Sequence, residues 1–235
     1  MRAAGAIVAA ACLTAGTLPA FAQDEPPIGS RLGSRRTIAV PHDRRESVRA
    51  AHRLAGCQYT KNSNGVRAAL SASDPGNAAR QLEALQYRGT CINLIGIAFD
   101  ADSQRSSIPS DVYRGMLAEA ALRQQLHGAA STLAPLPRQP NYAAPWFAAT
   151  KRPTAVDELG LCVAETNPAG VRALLATEPE GPEETRALAA INPSLAPCLT
   201  TGATLNANRQ SLRAALAEAL YHRAADPAAP AAVTQ

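Results

Sequence analysis

The chain repeats itself. Residues 54–70 can be laid without gaps on residues 159–175, and eight of the 17 positions are identical: Leu54/Leu159, Cys57/Cys162, Asn62/Asn167, Gly65/Gly170, Val66/Val171, Arg67/Arg172, Ala68/Ala173 and Leu70/Leu175. With 52 alanines in 235 residues, a lone alanine match means little; the Cys, Asn, Gly and Arg matches carry the case. Allowing one-residue shifts, Leu82 and Ala84 meet Leu188 and Ala190, and Cys91 meets Cys198. After a longer insertion in the first copy, residues 114–120 meet residues 213–219, which sets Glu119 on Glu218. The order is kept throughout, so the pattern predicts a tandem duplication.

Composition decides what the repeated unit is made of. Apolar residues are 46% of the chain but aromatics only 4%, so a core has to be assembled from Ala, Leu, Val and Ile. Small residues suit close-packed helices better than a large β-sandwich, which favours aromatic and β-branched side chains. The expected fold is therefore all-α: a tandem duplication of a roughly four-helix, disulfide-stapled unit. In the first copy, helices are predicted from about residue 43 through Cys57, over 66–72, over 77–87 and over 110–126. Their counterparts in the second copy cover 171–177, 182–191 and 206–222. The Asn62–Gly65 and Asn167–Gly170 stretches read as helix breaks, and the fourth helix of each copy reads as amphipathic. Residues 91–99 read as an extended buried connection. The expected organisation is a signal peptide over 1–22, a flexible basic segment over 23–40, repeat one over 41–130, a Pro-rich linker over 131–154, repeat two over 155–224, and a disordered Ala/Pro tail over 225–235.

The N-terminus reads as an export signal. Met1 and Arg2 precede an apolar run over residues 3–18, and Pro19-Ala20-Phe21-Ala22 leads into Gln23-Asp24-Glu25. A basic start, a hydrophobic stretch and an Ala-x-Ala site predict cleavage after Ala22. Lipidation at Cys12 is the minority alternative, since Ala9, Ala10 and Ala11 precede it without a large aliphatic residue. A span needs about 20 apolar residues, so no transmembrane segment is expected in the mature chain, and the location is periplasmic or secreted. Removing the signal leaves Cys57, Cys91, Cys162 and Cys198, an even number in an exported chain, which points to disulfides with three possible pairings. Duplication selects the same bridge in each copy, Cys57–Cys91 and Cys162–Cys198. Metal binding is the weaker reading, because no cysteine has a second Cys or a His within four residues.

Chemistry-bearing motifs are scarce. The sequence contains no nucleophile elbow, phosphate loop, HExxH or dinucleotide fingerprint, and no cofactor or metal is expected. His127 and His222 are placed at the ends of long helices, where the dipole favours a cation. Arg31, Arg35, Arg36, Arg44 and Arg45 offer weak contact with an anionic surface. Nucleic acid is not expected as a partner, because no aromatic platform interleaves these charges. Tyr142, Trp146 and Phe147 concentrate aromatic surface in the linker; they either cover the seam between the copies or anchor a partner.

Two charged residues recur on largely apolar helices. Arg67 and Arg172 sit at one point of the short second helix, Glu119 and Glu218 at one point of the long fourth. The pattern predicts structural ion pairs Arg67–Glu119 and Arg172–Glu218, against the simpler view that these are unrelated surface charges. The functional expectation is an exported, non-catalytic helical protein that binds a protein or other envelope component or serves as a structural part of the envelope. The alternative is a hydrolase with its site in a cleft between the repeats.

Overall fold

The computed structural model describes residues 44–86, 91, 108–199 and 208–226. All lie in one of the two units into which the chain divides, residues 37–235. Every regular element among them is a helix: α1 (Arg44–Lys61), α2 (Ser63–Ser71), α3 (Pro75–Gln86), α4 (Ser110–Gln124), α5 (His127–Ser131), α6 (Phe147–Thr150), α7 (Thr154–Thr166), α8 (Pro168–Leu175), α9 (Pro182–Cys198) and α10 (Arg209–Ala225). The expected signal peptide over 1–22, the expected basic segment over 23–40, residues 92–99 of the expected connection and residues 227–235 of the expected tail lie outside the described residues.

The two asparagine motifs do more than break helices. Asn62 is the N-cap of α2 and accepts a hydrogen bond from the Gly65 backbone N–H at 3.2 Å. Asn167 does the same for α8 through Gly170 at 2.9 Å. An N-cap side chain satisfies one of the orphan donors of the first turn, so α2 and α8 begin at Ser63 and Pro168, ahead of the predicted Val66 and Val171. The glycines are required by space. A Cβ on Gly65 would sit 2.3 Å from Asn62 Nδ2, and one on Gly170 would sit 2.5 Å from Asn167 Nδ2.

At the centre lie α4 and α10, and here the amphipathic expectation fails. Every residue of α4 from Val112 to Leu122 is buried, and so is every residue of α10 from Leu212 to Tyr221. A helix buried all round is a core helix, and the Arg and Glu of both helices are paired inside. α1 packs on α4 and α7 on α10, and the two long helices pack most extensively on one another. They meet almost backbone to backbone at Gly115, where a Cβ would lie 2.3 Å from both Cα and Cβ of Ala214. We therefore expect Gly115→Ala to destabilise the protein by about 1–3 kcal/mol, as overpacking does. Helix propensity alone would stabilise this variant by about 1 kcal/mol. A rise in the urea midpoint would thus show that the two helices are not in contact at this point.

Two other predicted boundaries move. α9 runs through Pro193 and Pro197 to Cys198, well past residue 191, because Ile191 and Leu195 one turn apart are both buried in the core. The first long helix stops at Gln124, so His127 opens α5 instead of closing α4. The bridges join Cys57 to Cys91 and Cys162 to Cys198, each with Cα atoms 5.7 Å apart, the pairing expected from the repeat. The first ties α1 to the segment beyond α3, the second ties α7 to the end of α9. No helix among the described residues is long and apolar enough to cross a membrane.

Candidate functional site

Charged side chains converge inside the helix pair. Arg114 of α4 pairs through Nε with Glu218 of α10 and donates from Nη1 to the Ala69 carbonyl at 2.7 Å and from Nη2 to that of Leu70. Reciprocally, Arg213 of α10 grips Glu119 of α4 with two bonds, Nε–Oε2 at 2.9 Å and Nη2–Oε1 at 2.8 Å. Its guanidinium also donates to the carbonyls of Leu175 at 3.3 Å and Thr177 at 3.0 Å. Each arginine thus does two things. It neutralises a carboxylate on the opposite long helix, and it caps the C-terminal end of α2 or α8, where the dipole welcomes a cation.

Both clusters extend further. Glu218 Oε2 also accepts from Arg152 Nη2, whose Nε pairs with Asp157 at 2.6 Å while Thr150 donates to the same carboxylate at 2.6 Å. Arg152 enters from the Pro-rich stretch just after Lys151, which takes up the left-handed conformation at φ 61°. Glu184 accepts from Arg213 Nη1 at 2.8 Å, and Arg123 reaches Glu119 Oε1 at 2.5 Å. Burial alone would raise the Glu218 carboxyl, yet the charges of Arg152 and Arg114 outweigh it and hold it at about 2. Glu119 is likewise lowered, its burial outweighed chiefly by the Arg213 hydrogen bonds. The His52 imidazole, 3.6 Å from Glu119, is held below its ordinary value by burial.

These contacts correct the predicted pairs. Glu119 and Glu218 are indeed buried and ion-paired, but neither Arg67 nor Arg172 is the partner. Arg67 donates to Gln125 Oε1 at 2.9 Å and to Asn64 Oδ1. Arg172 donates to the Ala130 carbonyl at 2.7 Å. The reason is one of placement: α4 and α10 pack face to face, so each glutamate meets the arginine of the other long helix. Its signal was present in the sequence, since Arg114 and Arg213 recur five positions before the two glutamates.

The aromatic cluster is also corrected as a partner surface. Tyr142 and Trp146 are each only 7% exposed. Trp146 stacks on His222, centroids 4.6 Å apart and planes within 7°, and meets Phe147 edge-on. His222 lies 3.7 Å from Glu218, so the stack shields the buried carboxylate from water. Among the described residues Leu136 is the one large apolar side chain that is exposed. Of the basic cluster, Arg44 and Arg45 open α1 on the surface; Arg31, Arg35 and Arg36 lie outside the described residues. Among the described residues, no group of three or more His, Cys, Asp or Glu is arranged to hold a metal ion.

Among the described residues, a pocket of about 410 Å³ is bounded by α4, α5, α8 and α10. Its floor is apolar, with the buried Leu122, Ala130, Leu175 and Leu220, and the exposed Ala169, Ala173 and Ala176 line its mouth. Ala169 and Ala173 lie one turn apart on α8 and Ala176 is its C-cap, and their short side chains leave the space. Its polar lining is Arg123, His127, Ser131 and Arg172, with no carboxylate. Among the described residues, Arg172 makes a protein bond through Nη1 only, and Arg123 through Nη2 only, to Glu119 and to the Leu175 and Thr177 carbonyls. Both guanidinium groups therefore keep unspent donors. His127 and Ser131 sit one turn apart on α5, but the Ser131 hydroxyl donates to the Gly128 carbonyl at 2.7 Å, which directs its proton to the backbone. No protein family, curated protein or solved structure matches this chain.

Proposed function

We propose that the protein is an exported, non-catalytic binding protein of the cell envelope that holds a small molecule in the pocket between α4, α5, α8 and α10. The observation that carries this reading is the pocket itself: about 410 Å³ of open space, within the range of small-molecule sites, with an apolar floor and a few polar groups at its rim. Among the described residues Leu136 alone is a large, exposed apolar side chain, which favours a small ligand over a protein partner held by an apolar patch on these helices. Export is supported by the signal-like N-terminus and by two disulfides, a chemistry of oxidising compartments.

The fold in this proposal is a tandem duplication whose copies have diverged. In its favour stand the matching bridges, the matching Asn caps and the reciprocal Arg114–Glu218 and Arg213–Glu119 pairs. Divergence is seen at the aligned arginines: Arg67 is taken up by Gln125 and Asn64, whereas Arg172 lines the pocket. The site opens where α4 and α5 meet α8 and α10, so both copies line it. The test is displacement of an environment-sensitive apolar dye from the oxidised protein. Saturable dye binding is expected, and Ala173→Phe, which fills the pocket from an exposed position, should abolish it without lowering Tm. Undiminished binding in that variant would locate the site elsewhere. Turnover of a chromogenic ester that disappears in Ser131→Ala would replace the binding reading with the hydrolase.

A further inference from the structure

The rim of the pocket specifies its ligand. We infer that it takes a single-chain carboxylate amphiphile, a medium-chain fatty acid, with the aliphatic tail on the leucine and alanine floor and the carboxylate between Arg172 and Arg123. This rests on the binding reading above and adds the chemical class. Three observations carry it. First, the lining has basic side chains and no acid, so an anion at the solvent-facing rim meets basic groups and no carboxylate of the lining. Glu119 offsets Arg123 only in part, because Arg213 already holds that carboxylate with two bonds. Second, each rim arginine has unspent donors in a planar fork, the geometry that carboxylates accept. Third, the apolar part of the lining is three leucines and four alanines, with no polar side chain among them to meet a polar ligand body. A sugar or nucleoside would leave its hydroxyls unpaired there.

The experiment is calorimetric titration of the oxidised protein with octanoate, decanoate and dodecanoate, and with decanol as the uncharged control. Binding should tighten about fourfold per methylene until the tail outgrows the pocket. Decanol should bind at least about tenfold more weakly than decanoate, since a charge-assisted contact is lost. Arg172→Gln should weaken decanoate about tenfold or more and leave decanol unchanged. Arg123 is a poorer target because it also serves Glu119, so Ala173→Phe supplies the second variant, expected to abolish both ligands while Tm holds. Equal affinities for decanoate and decanol, or an Arg172→Gln variant that keeps full decanoate affinity, would overturn the carboxylate class and leave the binding reading standing. If neither ligand nor the apolar dye binds, both readings fall together.

Discussion

Replacing Glu218 with alanine should cost about 3–5 kcal/mol, the range for breaking a buried ion pair from one side. Glu218 is fully buried and serves Arg114 and Arg152 at once, so its loss strands two guanidinium groups in the core. Against a total stability of about 5–15 kcal/mol for a domain, that is a large fraction. Arg67→Ala is the milder comparison: its partners are an exposed asparagine, an exposed glutamine and the Tyr59 hydroxyl, none of them charged, and the loss should stay within about 1.5 kcal/mol. Urea unfolding at neutral pH measures both. The same residue should shape the acid limb. The Glu218 carboxyl is depressed from 4.5 to about 2, so its contribution is fully present above pH 4.5 and is lost as pH falls towards 2. A depression of that size corresponds to about 3 kcal/mol. In Glu218→Gln the fall in stability across that window should be visibly shallower; an acid limb identical to that of the parent would show that Glu218 is not the group being protonated.

Removing either disulfide should cost about 4 kcal/mol, the chain-entropy value for a loop of about 35 residues. The sequence separations are 34 and 36, so Cys57→Ser/Cys91→Ser and Cys162→Ser/Cys198→Ser should lose similar amounts. The two bridges tie down different helices, α1 and α7, which pack on different long helices. Their losses should accordingly add. Non-reducing peptide mapping should recover the two predicted pairs, and a peptide joining Cys57 to Cys162 or Cys198 would refute the pairing. A loss below about 1 kcal/mol for either pair of substitutions would mean that the open chain is already compact there.

Much of this architecture can be read from residue order, for reasons that differ by element. An asparagine three residues before a glycine is a local device: the amide oxygen reaches a backbone N–H three residues on, and the missing Cβ makes room for it. Composition and helical spacing likewise set the fold class, because alanine-rich segments with one leucine per turn pack closely only as helices. Element ends are less secure, as α9 shows by running through two prolines, since burial of Ile191 and Leu195 overrides a local signal. The candidate pocket was not legible at all. Ala169, Ala173 and Ala176 look like ordinary helix residues until α4, α5 and α10 are placed around them.

The charged residues mark the division most clearly. Sequence by itself determined the all-helical class, the cysteine pairing and the presence of structurally important carboxylates at positions 119 and 218. Helical periodicity states which residues share a face of one helix, and sequence matching states which positions recur; both are properties of the chain. Which helix that face meets is not. Only the tertiary structure decided that α4 and α10 pack together, so that Glu119 meets Arg213 and Glu218 meets Arg114. It also turned Trp146 inward onto His222 and left the donors of Arg172 unspent beside an apolar floor. An ion pair or a pocket is a relation between surfaces far apart in the chain, and such relations are set by how the helices dock.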